Sequence, residues 1–204
     1  MIAIWTALYV LAVLFANLTL NHFITLPGGF GLLSVGTLFF GAVFTLRDRL
    51  HVFGLKAVYV AIALALLVNA YVGWLMMDMQ PNWLTQLIAH LGLSDILPAQ
   101  ASDLRVRFIV ASFISILISE LTDTLIYHNL MQKTWLRRAL SSNAVSIPVD
   151  TILFSFLAFY GVMSLNEIAQ IVYADLIFKA LIATLIAFAV HFGLKKREQK
   201  LRLA

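Results

Sequence analysis

The 204-residue chain contains no cysteine. That excludes a disulfide framework, a thiolate metal site and a cysteine nucleophile. Charge is scarce as well: Asp, Glu, Lys and Arg make up 12% of the residues and hydrophobic types 62%. A soluble domain averages about 25% and about 45–50%. So few charges cannot cover the surface of a soluble protein this size. Disorder, coiled coil and secreted disulfide scaffold fall with the same numbers. The signatures of soluble enzymes are missing too: no Gly-Lys-Ser/Thr phosphate loop, no His-Glu-x-x-His and no Gly-x-Ser-x-Gly. The run Gly28-Gly29-Phe30-Gly31 lacks a strand-and-helix context and reads as a turn. His22, His51, His90, His128 and His191 are dispersed at span ends and loops, so neither a metal nor a cofactor is expected.

What is there is apolar sequence in long runs, with a mean hydropathy of +0.94. A membrane span needs about 20 apolar residues, and six stretches qualify: Ile2–Leu20, Phe30–Leu46, Ala57–Met77, Leu104–Tyr127, Val145–Gly161 and Ile168–Phe192. Pro27-Gly28-Gly29 breaks the first from the second, and Arg47-Asp48-Arg49 stops the second. No basic region precedes the first run, so it reads as a span and not as a cleaved signal peptide. The expected fold is all-α, a polytopic membrane protein of six helices forming one domain over residues 1–204.

Lys and Arg are retained on the cytoplasmic side. The second loop holds Arg47, Arg49 and Lys56, the fourth Lys133, Arg137 and Arg138, and the tail Lys195, Lys196, Arg197, Lys200 and Arg202. Eleven of the 14 basic residues thus share one face, and both termini are expected to be cytoplasmic. The net charge of +4 follows from that topology, with the lipid bilayer as its partner; no nucleic acid is needed. In the external stretch Met79–Asp103, Trp83, Leu84, Leu87, Ile88 and Leu91 recur at helical spacing after Pro81. This is either an amphipathic helix in the outer interface or a lid.

Ionisable groups inside spans cost about 2.5–3.5 kcal/mol each at mid-membrane, so each needs a reason. Ser112, Ser115, Ser119 and Thr122/Asp123 form one polar stripe at steps of three and four, with Glu120 three residues from Asp123. The fifth span adds Asn143, Ser146 and Asp150. Asn143 and Ser146 either face the stripe or cap the start of the fifth helix. Given cytoplasmic termini, these polar groups meet in the inner half of the bundle. A second set lies toward the outer side: Asn17, Asn69, Tyr71, Arg107 and the i,i+4 pair Asp175/Lys179. The alternatives are mutual neutralisation for that pair and snorkelling for Arg107. Ser34, Thr37, Gly41, Thr45 and Asp48 lie on one side of the second span, as close packing requires. Together these residues read as a site for a small polar solute or a proton.

The stretch Ser119-Glu120-Leu121-Thr122-Asp123-Thr124-Leu125-Ile126-Tyr127, then Arg138 to Ser146, then Val149-Asp150-Thr151 with Phe154, resembles the queuosine precursor transporter family, also called the vitamin-uptake-like family. Its members resemble the substrate-binding subunits of energy-coupling-factor vitamin transporters. The resemblance implies a bacterial or phage-encoded importer in the cytoplasmic membrane. Its substrate would be 7-cyano-7-deazaguanine or 7-aminomethyl-7-deazaguanine, with a homodimer left open. A carboxylate can accept the two parallel N–H bonds of the deazaguanine edge and an Asn amide can meet its carbonyl. The candidate substrate-binding residues are therefore Glu120, Asp123, Asn143, Ser146, Asp150, Asn17, Asn69, Arg107 and Lys179, with Tyr71, Tyr127 and Phe154 as candidate walls. Two alternatives stand beside transport by the chain alone. One is a subunit driven by a separate ATPase, docked through Ala3/Ala7 and Ala12/Ala16; the other is an intramembrane enzyme using the acids.

Overall fold

The computed structural model describes residues 1–19, 22–26, 32–77, 86–87, 90 and 102–202. Among the described residues the long helices are α1 (Ile2–Leu18), α2 (Thr37–Leu50), α3 (Leu55–Met77), α4 (Ser102–Asn129), α5 (Trp135–Phe159) and α6 (Leu165–Arg202). The protein is an all-α polytopic membrane protein. Four helices are long and apolar enough to cross a membrane: Leu55–Leu75, Val106–Asn129, Trp135–Phe159 and Leu165–Gly193. At 1.5 Å per residue, α1 and α2 span only about 25 and about 21 Å, short of the about 30 Å hydrocarbon core. Most of the Met79–Asp103 stretch, including Trp83, Leu84, Ile88 and Leu91, lies outside the described residues.

The second span is the main departure from the sequence reading. Where Phe30–Leu46 reads as one run, the chain first makes a hairpin. β1 (Phe23–Thr25) pairs antiparallel with β2 (Leu32–Ser34), Phe23 opposite Ser34 and Thr25 opposite Leu32. Helix α2 then starts at Thr37 and runs through Arg47, Asp48 and Arg49 to Leu50. The charged triplet does not end the helix because two of its members have partners inside the bundle, which lets the last turn stay buried. The fifth helix is also longer than the apolar run: it begins at Trp135, so Asn143 and Ser146 lie within it and do not cap it. Pro148 sits inside that helix. Lacking an N–H, it frees a carbonyl one turn back at the level of the polar residues.

The helices close a ring in the order α1–α3–α4–α5–α6–α2, with α2 packed against both α1 and α6. Gly41 makes the α2–α6 approach close: a Cβ there would meet Ile182 Cγ2 at 2.2 Å. Tyr9, Val13, Val43, Leu50, Val58, Ala61 and Ile62 form one apolar cluster, and Phe108, Phe154, Phe159, Ile168 and Ile171 another. Outward-facing residues such as Leu67, Leu125, Leu181 and Leu185 are exposed apolar groups, as a lipid-facing surface requires. Ser164 and Glu167 make a capping box at the start of α6: Ser164 N–H and Oγ donate to Glu167 Oε2 at 2.8 and 2.7 Å. The polar side chains are turned inward, toward the middle of the ring.

Candidate functional site

Arg47 is fully buried, and three carboxylates surround it. Its Nη2 lies 2.9 Å from Asp48 Oδ1 and 2.5 Å from Asp123 Oδ2, and its Nη1 lies 3.4 Å from Glu120 Oε2. Tyr9 Oη donates to Glu120 Oε2 at 2.9 Å, and Ser146 Oγ to Asp123 Oδ1 at 2.6 Å. These groups come from α1, α2, α4 and α5. Their convergence follows from helical spacing: Ser112, Ser115, Ser119 and Asp123 are all buried along one face of α4. Ser146 and Asp150 of α5 each bond to a residue on that helix.

A second ionic centre is built around Lys179. Its Nζ lies 3.1 Å from Asp150 Oδ2 and 3.7 Å from Asp175 Oδ2. It also donates to Thr151 Oγ1 at 3.2 Å and sits 4.3 Å from the centroid of the Phe40 ring. Thr37 Oγ1 donates to Asp175 Oδ1 at 2.7 Å, and Ser119 Oγ to Asp150 Oδ1 at 3.4 Å. The inner and outer sets of the sequence reading therefore join, with Asp150 as the common member.

Beside this centre is a cavity lined by Asn17, Phe40, Ser115, Asp150, Phe154 and Lys179, with Thr37, Ser112 and Asp175 completing it. Its free interior is about 10 Å³, room for about one water molecule and far below the about 300–1,000 Å³ common for small-molecule sites. Two aromatic rings, an amide, a carboxylate and an ammonium thus face one space. Such a set offers faces and a polar edge to a small flat solute once the helix ring opens wide enough to admit it.

Of the sequence candidates, Asn17, Asp150 and Lys179 line the cavity. Asn69 does not, but its Oδ1 accepts Asn17 Nδ2 at 2.7 Å and so orients that amide; Ser112 Oγ donates to Asn17 Oδ1. Glu120, Asp123 and Ser146 belong to the Arg47 cluster. Asn143 lies on the same face of α5, buried, and its Oδ1 has no hydrogen-bond partner. Arg107 is brought to neither place: it donates to the carbonyls of Leu157, at 2.7 Å, and Tyr160. It thereby satisfies the end of α5 with a cation, as helix C-termini favour. Among the candidate walls only Phe154 lines the cavity. Tyr71 is exposed, and Tyr127 is stacked on His51 at 4.3 Å, with Arg138 4.8 Å from its ring centroid.

His51 lies in the turn after α2. Burial lowers its pKa from 6.5 to about 3, with Arg47, His128 and Arg138 adding repulsion. It is therefore neutral at physiological pH. Arg47, Tyr9 and the cavity ring Phe40 are participants that sequence reasoning missed. Arg47 sits between Leu46 and Asp48 at the end of an apolar run, where a loop charge and a buried one look alike; Tyr9 carries no signal beyond its place in an apolar helix.

Over residues 34–192 the chain matches the family described as "Putative vitamin uptake transporter". No curated protein and no solved structure matches it.

Proposed function

The chain belongs to this vitamin uptake transporter family, and from that premise we propose that it imports a 7-deazaguanine precursor of queuosine through the centre of the helix ring. The observation that carries the reading is the cavity, where Phe40, Phe154, Asn17, Asp150 and Lys179 face one space among membrane helices. In this reading the flat base lies between the two rings. Asp150 accepts the ring N–H and exocyclic amine, and the Asn17 amide, held by Asn69, meets the carbonyl. With a free interior of about 10 Å³ the cavity is closed to a bicyclic base, so in this reading the helix ring opens to admit it. The resemblance of the segment from Ser119 to Phe154 supplies the identity of the solute; the residues lining the cavity support its polarity. In this reading the acids are binding groups, each held by a cation or a hydroxyl within the helix ring.

The test is restoration of queuosine in tRNA in cells that neither make the precursor nor possess an importer, supplied with nanomolar 7-cyano-7-deazaguanine. Expression of this chain restores the modification, and Asp150→Asn weakens binding by about ten- to a hundredfold, the loss of a charge-assisted bond. No restoration by well-expressed protein sinks the assignment. Restoration only when an ATPase module is co-expressed favours the subunit reading. Ala3 and Ala7 remain on the surface for such docking, while Ala12 and Ala16 are buried inside the bundle.

A further inference from the structure

The Arg47 cluster is out of balance. One guanidinium faces the carboxylates of Asp48, Glu120 and Asp123, and all four side chains are at most 2% exposed. With every carboxyl ionised, two negative charges stand uncompensated in a membrane bundle, where each carries a heavy desolvation penalty. An unpaired acceptor adds a separate indication. Asn143 lies on the face of α5 that turns to the cluster, one turn before Ser146, which bonds to Asp123. It is 6% exposed, and its Oδ1 accepts no hydrogen bond. A buried acceptor on that face calls for a proton donor, which a carboxyl O–H supplies and a carboxylate does not.

The three acids are not equivalent. Asp48 Oδ1 accepts from Arg47 Nη2 and Nε at 2.9 and 3.3 Å. Asp123 has Arg47 Nη2 at 2.5 Å and Ser146 Oγ at 2.6 Å. Glu120 has the longest contact with Arg47, 3.4 Å, and both this and the Tyr9 bond fall on the same oxygen, Oε2. The groups that face it are Tyr9 of α1, Arg47 and Asp48 of α2, Asp123 of its own helix and Asp150 of α5; α3 contributes the apolar Val58, Ala61 and Ile62 of the cluster around Tyr9. Glu120 is thus the acid with the weakest hold on the one cation of the cluster. Its chain neighbour Ser119 bonds to Asp150 in the cavity wall, which connects it to the solute site.

We infer that the Arg47 cluster is a proton-binding site with Glu120 as the carrier, and that solute movement through the neighbouring cavity is coupled to this proton. A solution proton adds to the Glu120 carboxylate in the closed ring, and the same proton leaves on the other side when the ring opens. The coupling rests on the transport reading above; the proton site rests on the cluster alone.

Two measurements keep these apart. Infrared difference spectroscopy on purified protein, titrated in pH, shows a protonated carboxyl band that Glu120→Gln removes. Should Glu120→Gln fail to fold, Tyr9→Phe, which deletes only the phenol hydroxyl on Oε2, shifts that band. In proteoliposomes, wild type accumulates 7-cyano-7-deazaguanine by up to about tenfold per unit of pH gradient, the limit for one proton per neutral solute. A protonophore abolishes accumulation, a sodium gradient does not drive it, and Glu120→Gln equilibrates the solute without concentrating it. A band unchanged by both variants overturns the proton site. Sodium-driven accumulation, or accumulation by Glu120→Gln equal to wild type, overturns the coupling. Absence of any uptake by wild type, with the Glu120 band present, overturns the transport reading and the coupling and leaves the proton site standing.

Discussion

Lys179 Nζ is closer to Asp150 Oδ2 on the neighbouring helix, at 3.1 Å, than to Asp175 Oδ2 on its own, at 3.7 Å. The ammonium therefore ties α6 to α5 and does more than neutralise the acid one turn away. It is the only cation within salt-bridge reach of either carboxylate among the described residues. Removing it leaves two buried anions, whereas removing Asp175 leaves the pair with Asp150 intact.

Lys179→Met should accordingly cost about 3–5 kcal/mol, the usual loss when one side of a buried ion pair is deleted. Asp175→Asn should cost clearly less, and adding Asp150→Asn to Lys179→Met should restore part of the stability. Thermal unfolding of the purified variants in detergent ranks them. Equal stability of Lys179→Met and Asp175→Asn would show that Asp150 is not a partner.

Gly41→Ala should destabilise by about 1–3 kcal/mol through overpacking. The added carbon would lie 2.2 Å from Ile182 Cγ2 and 3.2 Å from the Ile182 carbonyl carbon. Ile182→Ala in the same chain should recover only part of the loss, because the backbone contact remains. A neutral Gly41→Ala would mean that α2 and α6 do not approach so closely.

The orientation is open to cysteine labelling without background, since the chain has no cysteine. Lys133 and Ser164 are exposed at opposite ends of α5. With Arg47 withdrawn into the bundle, ten basic residues still argue for one cytoplasmic face. An impermeant maleimide applied to intact cells should label Ser164→Cys and spare Lys133→Cys. The reverse pattern would invert the protein and the direction of transport with it.

His51 should make stability fall on acidification. Its pKa is lowered in the folded protein to about 3, while the unfolded chain takes up a proton near 6.5. The unfolded state thus binds more protons between those values, and this residue's contribution to stability is lost as pH falls through that window. His51→Phe keeps a ring against Tyr127 and cannot take up the proton. The stability difference between variant and wild type should therefore move in favour of the variant from pH 6.5 down to pH 3. Parallel pH curves would show that His51 is not held neutral.

The class, four of the six expected spans and the polar stripes were legible in the chain, because each of these is a property of one segment. Hydropathy counts apolar residues in a row, and steps of three and four in Ser112, Ser115, Ser119 and Asp123 repeat with the turn of a single helix. The same logic put Asn143, Ser146 and Asp150 on one face of α5. Which stripe meets which is visible only in the folded bundle. Lys179 joins Asp150 across helices, Asn69 orients Asn17, and Arg107 is spent on the end of α5. It also turned Arg47 from a loop charge into the centre of a buried cluster and replaced the first part of the second span with a hairpin. The physical reason is the same in each case. A polar group in or beside an apolar run is stable either in water or beside a partner, and the deciding partners lie 29 and more residues away in the chain.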